Sequence, residues 1–263
     1  MIYLKTPEEI ELMRVANRLV GETLGEVAKH IAPGVTTKQL DTIAYTFICD
    51  HGATPAFLGY GGFPASICTS INDHVVHGIP SDREILREGD IISVDCGTHI
   101  NGLTGDSAYT FAVGEIDPEL ERLLTVTRDS LYLGIKQAVE GHYVGHIGAA
   151  VQRHCEAQGY GIVRELVGHG IGHEMHEDPN VPNYGHPGFG PKLRAGMCIC
   201  IEPMVTMGRR KIVFESDGWT VRTHDGKPAA HFEHCIAIMP DGQAPQILST
   251  YEYIKEALGT REF

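Results

Sequence analysis

No apolar run in the 263 residues approaches the roughly 20 needed to cross a bilayer, so no helical membrane span is expected. The opening, MIYLKTPEEIELM, has no basic segment followed by a long apolar stretch, which argues against a secretory leader. Basic residues are scarce, 21 against 34 acidic ones, for a formal net charge of −13. Bulk attraction to nucleic acid or to an anionic membrane is therefore not expected. The seven cysteines are odd in number and lack compact paired spacing, so they form no disulfide framework. A cytoplasmic protein with free thiols is the simplest expectation. No linker rich in Ser, Gly and Pro divides the chain, and 42% hydrophobic with 21% charged residues excludes wholesale disorder. One α+β domain is expected, built from two approximate halves before and after residue 115.

Each half carries helices followed by a turn-rich sheet. Thr6, Pro7 and Glu9 supply an N-cap, an N1 proline and an N3 glutamate, and apolar residues recur at helical spacing up to Ile31 before Pro33–Gly34 stops them. A second helix is expected from Thr37, a third from Asp117 to about Glu140, and a fourth from about His146 to Gln158. Strands are expected at Ile67 to Ser70, Asp90 to Cys96, Tyr109 to Val113, Met197 to Ile201, Lys211 to Phe214 and His231 to Met239.

The carboxylates carry the chemical signal. In VDCGTHINGLTGDSAYTFAVG, Asp95 ends a near-apolar strand, Asn101–Gly102 favours a reversal, and Asp106 precedes the return strand. An antiparallel pair could bring the two aspartates together, a costly arrangement unless a proton or a multivalent cation lies between them. Turn capping is the competing reading. Glu202, after the apolar run MCICI, and Glu233, in AHFEHCIAIM, both adjoin apparent core strands. Outward placement on an edge strand, or a salt bridge to a distant Arg or Lys, is the alternative for each. His169, in VGHGIGHEMHEDP, could complete an oxygen-rich site suited to Mn, Fe or Co and open to Zn. Four carboxylates and one imidazole exceed what one compact ion needs, whereas two ions with bridging carboxylates would use the whole set. HEMH has the wrong spacing for the H-E-x-x-H metalloprotease motif, and the glycines around His169 match neither a phosphate loop nor a dinucleotide fingerprint. Tight backbone packing explains those glycines better. His77, in NDHVVHGIP, is a further candidate that competes with a structural or turn histidine.

The strings SINDHVVHGIP, VDCGTHINGLTGDSAYTFAVG, LVGHGIGHEMHEDPNVPNY, GMCICIEPM and DGWTVRTHDGKPAAHFEHCIAI resemble the methionine aminopeptidases, in the short bacterial-like type I form of the pita-bread metallopeptidase family. The resemblance spans nearly the whole chain. It implies a pita-bread fold, a curved antiparallel sheet backed by helices with internal pseudo-two-fold organisation. It implies a hydrolase that removes N-terminal methionine from peptides and nascent proteins, with a small second residue preferred. Two divalent ions (Co, Mn, Fe or Zn) are implied, with Asp95 on one, His169 and Glu202 on the other, and Asp106 and Glu233 bridging them. A water or hydroxide between the ions would be the nucleophile.

By the same resemblance Glu202 also handles the proton, while His77 and His176 contact the substrate. Tyr60, Phe63, Cys68, Met175 and Trp219, with Phe57 nearby, form the methionine pocket. Phe57 and Met175 depart from the Cys and Phe common in related bacterial enzymes. A core-packing role competes for each of these apolar residues. The family further implies a monomer, with transient ribosome association as a possible partner contact and no nucleic-acid specificity. Proline-specific relatives share much of the metal site and usually carry a substantial additional N-terminal domain. The alternatives to weigh are thus a proline-directed peptidase and a non-catalytic pita-bread protein that binds a partner through its cleft.

Overall fold

Capping chemistry starts the first helix where the sequence places it. In the computed structural model, which describes residues 1–259, helix α1 (Pro7–Ala28) opens with the Glu9 amide donating to Thr6 Oγ1 at 3.2 Å and the Thr6 amide donating to Glu9 Oε2 at 2.8 Å. It ends at Ala28, short of Ile31, where the chain tightens into turns. Helix α2 (Thr37–Asp50) carries the same device with Thr36 and Gln39.

Strands β1 (Thr54–Pro55), β2 (Ile67–Ile71), β3 (His74–Val76), β4 (Ile91–Ile100) and β5 (Leu103–Ala112) follow. The β4–β5 hairpin turns through Asn101 and Gly102, both at positive φ, and pairs from Ile100↔Leu103 to Ile91↔Ala112. Both strands are longer than the sequence reading gave, so Asp95 and Asp106 lie within them rather than at their ends. Polar residues within these strands are satisfied internally. Ser93 Oγ and Thr110 Oγ1 lie 2.8 Å apart, and Thr98 donates to the Ala16 carbonyl at 2.9 Å.

Helix α3 (Pro118–Ile135) stops five residues before the expected Glu140, because Gln137 and Ala138 already donate to carbonyls three residues back. Helix α4 (Val144–Ala157) begins two residues before the expected His146, whose Nδ1 accepts the Tyr143 amide at 3.1 Å. The second half then adds β6 (Gly161–Ile162), β7 (Gly168–Gly170), β8 (Glu177–Val181), β9 (Cys198–Ile201), β10 (Met204–Thr206), β11 (Ile212–Phe214) and β12 (Val221–Thr223). The chain continues through β13 (Ala229–His231), β14 (His234–Ala237), β15 (Gln246–Ile247) and helix α5 (Glu252–Leu258). The strand expected from His231 to Met239 is two strands in different sheets, broken at Phe232 and Glu233. The break arises because the Glu233 amide leaves the ladder to donate to the Ala108 carbonyl at 2.9 Å.

Among the described residues all strand pairings are antiparallel. β4 pairs with β1, β2 and β5, and the longest sheet has the order β15-β14-β9-β7-β8. The architecture is the mixture of helix and antiparallel sheet that the resemblance implies. Its main apolar core runs from Leu24 of α1 through Phe111, Leu124 and Ile147 to Ile199, Ile236 and Ile254. Helix α1 lies directly on the hairpin. A side chain at Gly105 would put its Cβ 2.6 Å from the Asn17 amide nitrogen, closer than real Cβ contacts come. That close approach lets Asn17 Oδ1 accept the Asp106 amide at 3.2 Å, tying the helix to a candidate ligand.

Candidate active site

The hairpin register decides how the two aspartates meet. Asp95 stands opposite Ala108, and Asp106 opposite Gly97, so the carboxylates are diagonal neighbours on one face. Glu202 directly follows β9, and its carbonyl accepts Asn183 Nδ2 at 2.9 Å. Glu233 is fixed by its backbone. Besides the Ala108 bond, its carbonyl accepts Ser107 Oγ at 2.6 Å and the Tyr251 hydroxyl at 2.8 Å.

His169 sits in the middle of β7 between two glycines whose lack of a side chain is a packing requirement. A Cβ at Gly168 would lie 2.3 Å from the Cys200 carbonyl oxygen, and one at Gly170 2.2 Å from that of Asp178. The imidazole Nδ1 donates to the Gly170 carbonyl at 2.9 Å. That bond directs Nε2 toward the acids, 3.6 Å from Asp106 Oδ2 and 3.6 Å from Glu202 Oε1. A second bond of this kind is how a ligating histidine is held in one tautomer.

The electrostatics are those of a site built for positive charge. Burial first, then Asp106 and Glu202, push the Asp95 carboxyl well above its ordinary range. Burial followed by Asp106, Glu202 and Asp95 does the same to Glu233. Burial alone would depress His169, but Asp106 and Glu202 outweigh it and raise the imidazole to about 9. For Glu202, burial is outweighed by His231, His169 and His77, which hold the carboxyl below its ordinary range.

The donor set fits divalent cations. Asp95 Oδ1, Asp106 Oδ1 and Glu233 Oε1 are buried without a hydrogen-bond partner. Such atoms are rare in folded proteins because each forfeits its hydration with nothing in return. Ligand atoms of Asp106, His169, Glu233 and Cys200 all lie within 4.8 Å of one another. Carboxylate oxygens dominate this group, as first-row divalent ions such as Mn and Co accept.

An apolar wall faces the acids. Phe57, Phe63, Cys68 and Met175 pack together with Trp219 against them, and the Phe63 and Trp219 rings meet edge-on at 5.1 Å. Gly97 makes room for this wall, since a Cβ there would fall 2.7 Å from Phe57 Cε1. Cys68 pairs with Asp95 across β2 and β4, so the apolar and acidic surfaces share one sheet face. Trp219 hangs on a turn in which Asp217 Oδ1 accepts the Trp219 amide at 2.8 Å and the Thr220 amide at 2.9 Å. Met175 and His176 lie on a loop closed by the Glu174 amide on Glu177, whose carboxylate forms a buried ion pair with Lys5. His176 Nδ1 is 2.7 Å from the Tyr60 hydroxyl, and its ring meets that of His169 at 4.2 Å. Burial, reinforced by His169, lowers His176 to about 4, and burial also lowers His77.

One cavity of about 120 Å³ is lined by all thirteen residues singled out from the sequence: the five ligand candidates, His77, His176 and the six apolar or aromatic ones. Three neighbours escaped that reading. His231 faces Glu202, Cys200 joins the ligand cluster, and Asn183 holds the Glu202 carbonyl. For His231 and Cys200 a signal existed. Each lies two positions before a candidate glutamate, the spacing that shares a face in extended chain. Asn183 had none.

Residues 11–240 match the metallopeptidase family M24. The chain belongs to that family. Among M24 relatives, the methionine aminopeptidase of Clostridium acetobutylicum is 54% identical over 252 residues, covering 96% of this chain and 100% of its own. The crystal structure of methionine aminopeptidase from Rickettsia prowazekii superposes with a TM-score of 0.93 at 40% identity, covering 95% of this chain and 100% of that one. A prolidase from Pyrococcus furiosus shares the fold, with a TM-score of 0.77 at 21% identity; the match covers 94% of this chain and 65% of that one.

Proposed function

We infer that this protein is a metal-dependent aminopeptidase that hydrolyses the N-terminal methionine of peptides and nascent proteins, with a small second residue preferred. The observation that carries the reading is a cluster of buried, unpartnered carboxylate oxygens set against an apolar wall, in a chain 54% identical to a methionine aminopeptidase over nearly its full length. Asp95, Asp106, His169, Glu202 and Glu233 would hold two divalent cations, Asp95 toward one, His169 and Glu202 toward the other, with Asp106 and Glu233 shared. Bound there, such cations polarise the first peptide carbonyl and lower the pKa of water.

The side chains do the rest. Glu202 accepts a proton from the attacking water at its carboxylate and returns one to the leaving nitrogen. With the Tyr60 hydroxyl donating to His176 Nδ1, the neutral ring keeps its Nε2–H for the peptide oxygen as negative charge grows there. His77 orients the peptide, and a large second side chain would crowd the approach to the metal centre. The methionine thioether packs against Phe57, Tyr60, Phe63, Cys68, Met175 and Trp219, where sulfur gains from aromatic and polarizable neighbours.

The chain acts as one catalytic unit with halves that join near residue 115, a reading supported by a main apolar core that draws on both. It works as a monomer in the cytoplasm, with transient ribosome contact, since its substrates emerge there. Seven free cysteines accord with a reducing compartment.

Release of free methionine tests this reading. Metal-free protein supplemented with Mn, Co or Fe is expected to cleave Met-Ala-Ser, to cleave Met-Lys-Ser much more slowly, and to leave Xaa-Pro peptides intact. A folded protein that fails on both methionyl peptides with every metal is not a methionine aminopeptidase, and cleavage confined to Xaa-Pro peptides would make it proline-directed.

A further inference from the structure

A carboxylate that both ligates metal and carries a proton must be fixed in direction, and Glu202 is held from two sides. Its Oε1 faces His169 Nε2 at 3.6 Å, and its Oε2 faces His231 Nε2 at 3.6 Å. His231 has no place among the ligands and substrate-contacting residues assigned above. It is 1% exposed, and its Nε2 has no hydrogen-bond partner. A buried imidazole nitrogen without a partner is costly, so a ring in this place needs a use.

The backbone of His231 is clamped from β5. Its amide donates to Thr110 Oγ1 at 3.0 Å, and the same hydroxyl donates to its carbonyl at 2.7 Å. Thr110 is braced in turn by the Ser93 hydroxyl at 2.8 Å. Across the sheet His231 pairs with Met204, two residues after Glu202, which sets the ring beside the glutamate. The 3.6 Å spacing is a few tenths of an ångström beyond a hydrogen bond, and a small rotation of the carboxylate closes it.

We propose that His231 is a positioning residue for the hydrolysis: its Nε2–H holds Glu202 Oε2, leaving Oε1 presented beside His169. This assignment rests on the metal-dependent reading given above. It differs from a ligand role for His231 in what can replace the ring. A glutamine side chain places an N–H near the position of Nε2, whereas asparagine, one methylene shorter, does not reach it, and leucine has no donor.

The test is a visible-absorbance titration of metal-free wild type, H231Q, H231N and H231L with Co(II). A parallel measurement takes kcat and KM on Met-Ala-Ser at saturating metal. Loss of an orienting partner weakens metal affinity about 10- to 100-fold, so H231N and H231L are expected to lose that much cobalt affinity while H231Q stays close to wild type. The activity loss should fall on kcat with KM little changed. In an E202Q background the H231N and H231L losses should vanish, because the group they act through is gone.

Wild-type cobalt affinity in H231N, or equal losses in H231Q and H231N, overturns the assignment. So does an undiminished H231N loss in the E202Q background. The H231Q and H231N contrast stands even if H231L fails to fold. Wild-type protein that binds no cobalt at all refutes the metal-dependent reading itself. Wild-type binding alongside an unaffected H231N refutes only the role of His231.

Discussion

Glu233 and His234 are adjacent, both buried, and opposite in how their polar atoms are satisfied. His234 Nδ1 is 2.7 Å from Ser249 Oγ, its Nε2 is 3.1 Å from the Tyr132 hydroxyl, and its ring stacks on Tyr251 at 4.1 Å. Glu233 instead leaves Oε1 buried without a donor, as Asp95 and Asp106 leave one oxygen each. The His234 side is finished by the protein alone. The Glu233 side is completed only by something from outside, which is the physical signature separating a structural polar network from a binding site. The two share a brace, since the Tyr251 hydroxyl lies 2.8 Å from both the Ala108 and the Glu233 carbonyl oxygens. The finished region is therefore the scaffold that aims the unfinished one.

The largest expected break in this contrast is E202Q. It removes a proton acceptor and weakens ligation together, so turnover of Met-Ala-Ser should fall by about 10²–10⁴-fold. Near-normal kcat in metal-controlled assays would remove Glu202 from the chemistry. Next comes metal itself. Mn or Co at about 100 times its dissociation constant should stabilise the protein by about 2.7 kcal/mol, raising Tm by several degrees. Differential scanning calorimetry with and without chelator reads this directly.

S249A should do the reverse. Leaving His234 Nδ1 without a partner costs about 1–3 kcal/mol, visible in urea unfolding, while cobalt affinity stays that of wild type. A change in metal affinity without loss of stability would mean that the two regions are not distinct. The smallest effect is expected at Asp217. Losing its bonds to the Trp219 turn should cost about 1 kcal/mol, so D217A raises KM for methionyl peptides about fivefold with kcat nearly constant. Burial tends to raise Asp217, but the Thr220 hydroxyl and the Trp219 and Thr220 amides hold it below its ordinary 3.8. A carboxyl depressed in the folded state contributes fully above 3.8, and the contribution fades as pH falls through the folded value. The single tryptophan of the sequence makes fluorescence a direct monitor of that turn.

What was legible in the sequence was whatever local chemistry announces. The Thr6–Glu9 capping box and the Asn101–Gly102 reversal act over a few residues and reappear in the structure. The hairpin strands run past their expected ends because pairing with each other and with residues distant in the chain sustains them: Thr98 donates to the Ala16 carbonyl and Ser107 to that of Glu233. The break at Glu233 was hidden for the same reason, since its cause lies in Ala108 and Tyr251. All thirteen site residues named from the sequence line one cavity. Asp95, Asp106, Glu202, Glu233, His169 and His77 stand out by residue type and setting, whereas the resemblance to a family supplies their roles, His176 and the six pocket residues; spacing alone leaves turn capping, edge placement and core packing open. For His231 the two-residue spacing to Glu233 is the only sequence signal; its place beside Glu202 and Thr110 comes from the folded sheet alone.

Anomalous diffraction from crystals soaked in Mn(II) or Co(II) tests the central claim most directly. The account predicts two adjacent anomalous peaks, with Asp106 and Glu233 touching both, Asp95 touching one, and His169 and Glu202 touching the other. Density that leaves the Asp95, Asp106 and Glu233 carboxylates without an ion, at a metal concentration that supports methionine release, would contradict it.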